Sequence, residues 1–117
     1  MDNPPDPPSD DPDRRAPRRR MLRTGVVTYR DCAISFRCAI RDRSDSGARL
    51  RLPPGIVPPN DFWLIEVTEA IAHRAHAVWR RGDEIGVSLC ESINLRDDSR
   101  ELVHRQLHAL WVATAGG

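Results

Sequence analysis

Residues 48–52, Ala-Arg-Leu-Arg-Leu, and residues 84–89, Glu-Ile-Gly-Val-Ser-Leu, alternate between two kinds of side chain. A period of two suits a β-strand with one face buried and the other in water, and it does not suit a helix. Such runs also pin the register, because a slip of one residue would turn each buried side chain outward. Turn-forming residues stand close by: Gly47 before the first run, Pro53-Pro54-Gly55 after it, and Arg80-Arg81-Gly82-Asp83 before the second.

Other stretches extend the pattern. Val26, Val27 and Tyr29 are strand formers, and Arg30-Asp31 is a candidate turn. Residues 33–40 read as a strand with Ile34, Phe36, Cys38 and Ile40 on one face. Residues 62–67, Phe-Trp-Leu-Ile-Glu-Val, form another. Residues 71–80 suit either strand or helix. The hairpin signal at Gly82 favours strand, with Ala75, Ala77 and Trp79 on one side and His76, Val78 and Arg80 on the other. Near the end the period changes. Asp98-Ser-Arg-Glu101 has a capping pattern, and Val103, Leu107, Leu110, Trp111 and Thr114 recur at helical spacing. This predicts a helix from about Ser99 to Ala113, ended by Gly116-Gly117. Its apolar stripe is expected to cover the chain's own barrel; docking to a partner or a second copy is the alternative. Short strands followed by one helix predict a mainly β fold, a small antiparallel barrel with a C-terminal α-helix.

The first 17 residues differ. Six prolines and five aspartates, with no large apolar residue beyond Met1, cannot bury enough surface to offset the cost of ordering, so a disordered tail is expected. The chain's 117 residues hold one domain. A formal net charge of +1 argues against a wholesale polyanion binder. Cys32, Cys38 and Cys90 are odd in number and not closely paired, which argues against disulfides and a zinc site. With neither a signal-peptide pattern nor an apolar run of about 18 residues, the expectation is a cytoplasmic protein with no membrane insertion.

Arg18-Arg19-Arg20-Met21-Leu22-Arg23 follows the tail. Guanidinium stays charged and donates in a planar fork that fits phosphate oxygens two at a time. The same fork matches O6 and N7 of guanine. An arginine arm of this kind suits a guanine nucleotide, although a solvated basic run or a nucleic-acid patch would look similar.

Arg19-x-x-x-Arg23, a strand, and then Asp42-x-Ser44-x-x-Gly47 resembles the PilZ domain family, whose fingerprint is Arg-x-x-x-Arg followed by Asp/Asn-x-Ser-x-x-Gly. Residues 46–50, Ser-Gly-Ala-Arg-Leu, look like the strand after the second motif. Residues 77–89 are similar to the family's closing hairpin, with Leu89 where Phe is usual. The resemblance covers about residues 18–89. It implies a six-stranded antiparallel β-barrel, often with a C-terminal helix, that binds cyclic di-GMP. Carried over by position, Arg19 and Arg23 would clamp phosphates and the outer edge of guanine. Asp42 and Ser44 would hydrogen-bond a guanine from the barrel side, and Gly47 would let the backbone turn close to the ligand. Arg18 matches an arginine that often precedes the first motif. The implied organisation is a tail at 1–17, a ligand-binding arm at 18–23, a barrel at 24–97 and a helix at 98–115.

Plainer roles stand beside these. Asp42 and Ser44 can cap a turn through their own backbone, and Gly47 can serve the turn alone by taking positive φ. Arg43 has no assigned role, and Arg49, Arg51 and Arg80 are expected on solvated faces. His104 and His108 share a helix face, but with no third ligand no metal is assigned. Ser44, Cys90 and the histidines make no nucleophile–base arrangement, so no enzyme is expected. Three functions remain. The first is a cyclic di-GMP receptor, needing no further cofactor, that signals to a downstream protein partner. The second is a PilZ-type adaptor independent of nucleotide, against which the intact motifs weigh. The third is an arginine-arm nucleic-acid binder, whose affinity would fall steeply with salt. Whether one nucleotide or a stacked pair binds stays open, as does oligomeric state, with a monomer favoured.

Overall fold

The computed structural model describes residues 19–115, and side chains from Arg23 onward; the Pro/Asp-rich tail, Arg18 and Gly116-Gly117 lie outside the described residues. Six strands precede one helix: β1 (Arg19–Tyr29), β2 (Ile34–Arg43), β3 (Gly47–Arg51), β4 (Asp61–Glu66), β5 (Ile71–Arg81), β6 (Glu84–Asn94) and α1 (Leu102–Ala115). They close into an antiparallel barrel in the order β1-β2-β3-β6-β5-β4. Closure removes unpaired strand edges. The barrel with a C-terminal helix is therefore as expected, and residues 71–81 are strand.

The period-two residues fill the interior. Val27, Ile40, Leu50, Leu64, Phe62 and Ile85 are each 0–1 % exposed and form one cluster with Cys38, Leu52, Ala75 and Val87. Full burial of a side chain of this size contributes about 1.5–3 kcal/mol. Burial also pushes the Cys38 thiol up to about 12.

A second cluster lies outside the barrel wall. Leu107 of α1 packs with Val26, Ile65, Ala70, Ala72 and Leu95, flanked by Val103, Leu110 and Trp111. Trp111 Nε1 donates to Val67 O at 2.8 Å, and His108 Nδ1 lies 2.6 Å from Leu95 O. The helical stripe thus covers the chain's own barrel. The helix starts later than the capping pattern suggested: Ser99 Oγ accepts from Glu101 N at 3.1 Å, and the regular turns begin at Leu102.

Two further differences bear on the site. β1 takes in the segment 19–23 that was read as an arm, pairing Arg19 with Arg43, Arg20 with Asp42 and Arg23 with Ile40. Trp79 does not share a face with Ala75 and Ala77. Ala77 pairs with Val87 but Trp79 pairs with Gly86, so Val78 is an extra residue, a β-bulge. The bulge resets the alternation. Ala77 packs toward the interior, while Trp79 is turned out and 43 % exposed.

Candidate functional site

A second bulge sets Asp42. Between β2 and β3, Ile40 pairs with Leu50 but Asp42 pairs with Arg49, leaving Arg41 as the extra residue. Without it, Asp42 would be in phase with buried Ile40. With it, Asp42 joins Arg49 on the outer wall, where a carboxylate can be hydrated or paired. The two bulges align four positions across four strands: Asp42 opposite Arg49, Arg49 opposite Gly86, and Gly86 opposite Trp79.

This row borders a cavity of about 550 Å³ lined by Asp42, Ser44, Gly47, Ala48, Arg49, Val78, Trp79, Gly86 and Val87. Gly86 is the gap in the row. A Cβ there would overlap the Trp79 indole, so the ring lies against the β6 backbone and walls the cavity. Val78, 60 % exposed, stands beside it. A flat aromatic face, a carboxylate and a guanidinium border one concave site.

Electrostatics couple the row. Arg49 Nε lies 2.6 Å from Asp42 Oδ2, and Arg49 Nη1 lies 3.3 Å from Glu84 Oε1. The Nε–H is buried and not aligned with the Asp42 oxygen, so this contact is a close charge pair rather than a formed hydrogen bond. Arg49 is therefore not on a solvated face as expected; it is held between two carboxylates. Asp42 does not cap the turn. Its side chain is only 14 % exposed, covered by Arg49.

The β2–β3 turn is narrower than residues 42–47, because Asp42 and Arg43 belong to β2. Ser44 N donates to Gly47 O at 2.9 Å, and Ser44 Oγ lies 3.4 Å from the same oxygen. That hydroxyl contact is long and exposed, which leaves the group open to a ligand. Gly47 does not adopt the positive φ suggested for it. It is needed for close approach, because a Cβ would sit 2.9 Å from Val87 O.

Arg43 turns the other way, toward Glu66 at 3.4 Å, and its Nη1 lies 3.4 Å from Gly47 O. Glu66 also meets His73 Nε2, and His73 Nδ1 lies 2.8 Å from Ser92 Oγ. Burial raises the Glu66 carboxyl, but the His73 hydrogen bond and the Arg43 charge outweigh it and hold the group below its ordinary value. This cluster braces the turn that carries Ser44 and Gly47.

Of the six residues singled out from the sequence, Asp42, Ser44 and Gly47 border one cavity. Arg23 does not reach it. Its Nη1 donates to Glu69 Oε2 at 2.8 Å, and it borders a separate depression with Arg37, Ala39 and Arg51. The backbone of Arg19 lies opposite Arg43, beside the site; Arg18 is outside the described residues. Arg49, Gly86 and Trp79 also line this cavity and were not among the residues singled out. Strict alternation put Trp79 on the face of Ala75 and Ala77, and nothing in the sequence marks the bulge at Val78 that turns it out.

Other candidates have structural partners. Arg80 Nη2 donates to Pro58 O at 2.9 Å and Asn60 Oδ1 at 3.0 Å, tying the β3–β4 loop to β5. Among the described residues no group of three His, Cys, Asp or Glu is arranged to hold a metal ion, and no helix is long and apolar enough to cross a membrane.

The chain is a small closed barrel with a polar, aromatic-walled cavity on its outer surface. A family model described as PilZ domain matches residues 12–109, and the chain belongs to the PilZ domain family. Binding of cyclic di-GMP is the known role of that family. No protein of curated function matches the chain.

Proposed function

We propose that this chain is a cytoplasmic receptor for cyclic di-GMP that passes the signal to a partner protein. The observation that carries the reading is the row Asp42, Arg49, Gly86 and Trp79 bordering one cavity beside Ser44 and Gly47. One guanine stacks on the open face of Trp79. Asp42 accepts from its N1–H and N2–H groups, and Ser44 hydrogen-bonds at the rim. Arg19 and Arg23 take the phosphates and the outer edge of the other guanine, with Arg18 beside them. Arg23 then exchanges Glu69 for the ligand, and the first half of β1 moves with it.

Calorimetric titration of cyclic di-GMP into the wild-type protein, Arg23→Ala and Ser44→Ala tests this. Binding at micromolar or lower concentration, lost or strongly weakened in both variants, supports both halves of the site. If the folded wild-type protein does not bind, the receptor function is refuted and the nucleotide-independent adaptor takes its place.

A further inference from the structure

We propose that Arg49 determines base specificity in this cavity, reading guanine against adenine as one unit with Asp42. The inference rests on the receptor reading above. Asp42 and Arg49 face each other across β2 and β3, both border the cavity, and Trp79 stands two strands away in the same row. A planar base stacked on Trp79 would turn its edge toward this carboxylate and guanidinium. Guanine offers donors at N1 and N2 and acceptors at O6 and N7, side by side. Asp42 accepts from the first pair and Arg49 donates to the second. Adenine reverses both matches: its N1 lone pair would face the Asp42 oxygens, and its N6 amino group would face the Arg49 donors.

The ligand-free contacts suit this role. Arg49 spends one nitrogen on Glu84 at 3.3 Å and lies against Asp42 through an unaligned Nε, so that among the described residues other donors of the fork are uncommitted. Glu84 also holds the fork in place, so it is a positioning residue for Arg49. A site whose charged groups would be left unpaired by the wrong base discriminates more strongly than one that measures shape alone.

The test compares cyclic di-GMP with cyclic di-AMP by calorimetry on the wild-type protein, Arg49→Ala and Arg49→Lys, with circular dichroism melts to establish folding. The wild-type protein should prefer cyclic di-GMP. Arg49→Ala should weaken cyclic di-GMP roughly 10- to 100-fold and leave cyclic di-AMP within a few-fold, so that the preference collapses. Arg49→Lys keeps the charge without the fork and should lose most of the preference as well. Equal weakening of both ligands would make Arg49 a phosphate or folding residue, and an unchanged preference would remove it from base recognition; either overturns the proposal while the receptor function stands. Absence of cyclic di-GMP binding by folded wild-type protein overturns both.

Discussion

Replacing Trp79 with alanine tests the site at the residue the motifs do not contain. The ring is 43 % exposed, and its covered side lies against Gly86. Truncating a fully buried Trp costs about 3–5 kcal/mol, so a ring covered on one side should cost about 1–2 kcal/mol. A domain stable by about 5–15 kcal/mol survives that loss. Base–aromatic stacking is worth about 1–3 kcal/mol per base. At about 1.4 kcal/mol per tenfold, Trp79→Ala should weaken cyclic di-GMP roughly 5- to 150-fold, and Trp79→Phe by less. Calorimetry supplies the affinities, and fluorescence supplies an independent signal. Trp63 and Trp111 are half-buried in the helix-facing cluster, whereas Trp79 borders the cavity. Ligand-induced quenching should therefore disappear in Trp79→Phe. A folded Trp79→Ala protein that binds within twofold of wild type would refute the stacking argument, whatever the first motif does.

Gly86→Ala places a methyl group where the indole lies, so the ring must swing off β6; binding should fall at least as far as in Trp79→Ala, checked by calorimetry, with a shifted Trp emission in the free protein. Leu107→Ala opens a cavity between α1 and the barrel and should cost about 2–5 kcal/mol in a urea melt, because that side chain is fully buried. Glu66 titrates below its ordinary 4.5 in the folded protein, so its share of the stability is complete above about pH 4.5 and is lost as pH falls through the lower folded value. Glu66→Gln should therefore reduce stability at pH 7 and flatten the decline below pH 4.5, read from urea melts across that range.

The barrel was legible because it is written in local alternation. Leu50 and Leu52 sit inside with Arg51 outside, Ile85 and Val87 inside, and the helical stripe at Leu107 covers the wall. The two bulges were not legible. Arg41 and Val78 carry no glycine and no turn signal, and a bulge is decided by how two strands count against each other rather than by either strand alone. Their consequences were hidden with them. Arg49 reads as a solvated residue of an alternating strand until Asp42 is known to face it. Trp79 reads as a core residue until Val78 is known to shift the phase. Asp42, Ser44 and Gly47 were singled out through a motif and line one cavity, yet the motif does not give the physical reason for Gly47, which is the nearness of Val87 O.

How binding could reach the rest of the molecule follows from what holds Arg23 in the free state. Its pair with Glu69 is half-exposed, at 38 % and 45 % side-chain exposure, and such pairs are worth about 0–1 kcal/mol. Arg23 gives Glu69 a single donor, whereas a phosphate would take two donors of the fork at once, so exchanging Glu69 for a phosphate would be favourable. Glu69 lies just past β4, and its carbonyl accepts from Arg96 Nη1 at 3.1 Å. Arg96 in turn lies 5.8 Å from the centre of the Trp111 ring on α1. Under the proposed function, release of Arg23 would loosen a residue whose backbone is tied to the helix, and a partner that touches α1 would sense it. Contiguity alone does not establish coupling; it needs two states that the ligand biases. Glu69→Ala imposes the released state without ligand. Cyclic di-GMP should then bind up to roughly 5-fold tighter, since no pair has to be broken. Hydrogen exchange at residues 67–70 and in α1 should change on ligand addition in the wild-type protein and much less in Glu69→Ala. Equal ligand-induced changes in the two proteins would show that the arm signals without Glu69, and the route to the helix would have to begin elsewhere on β1.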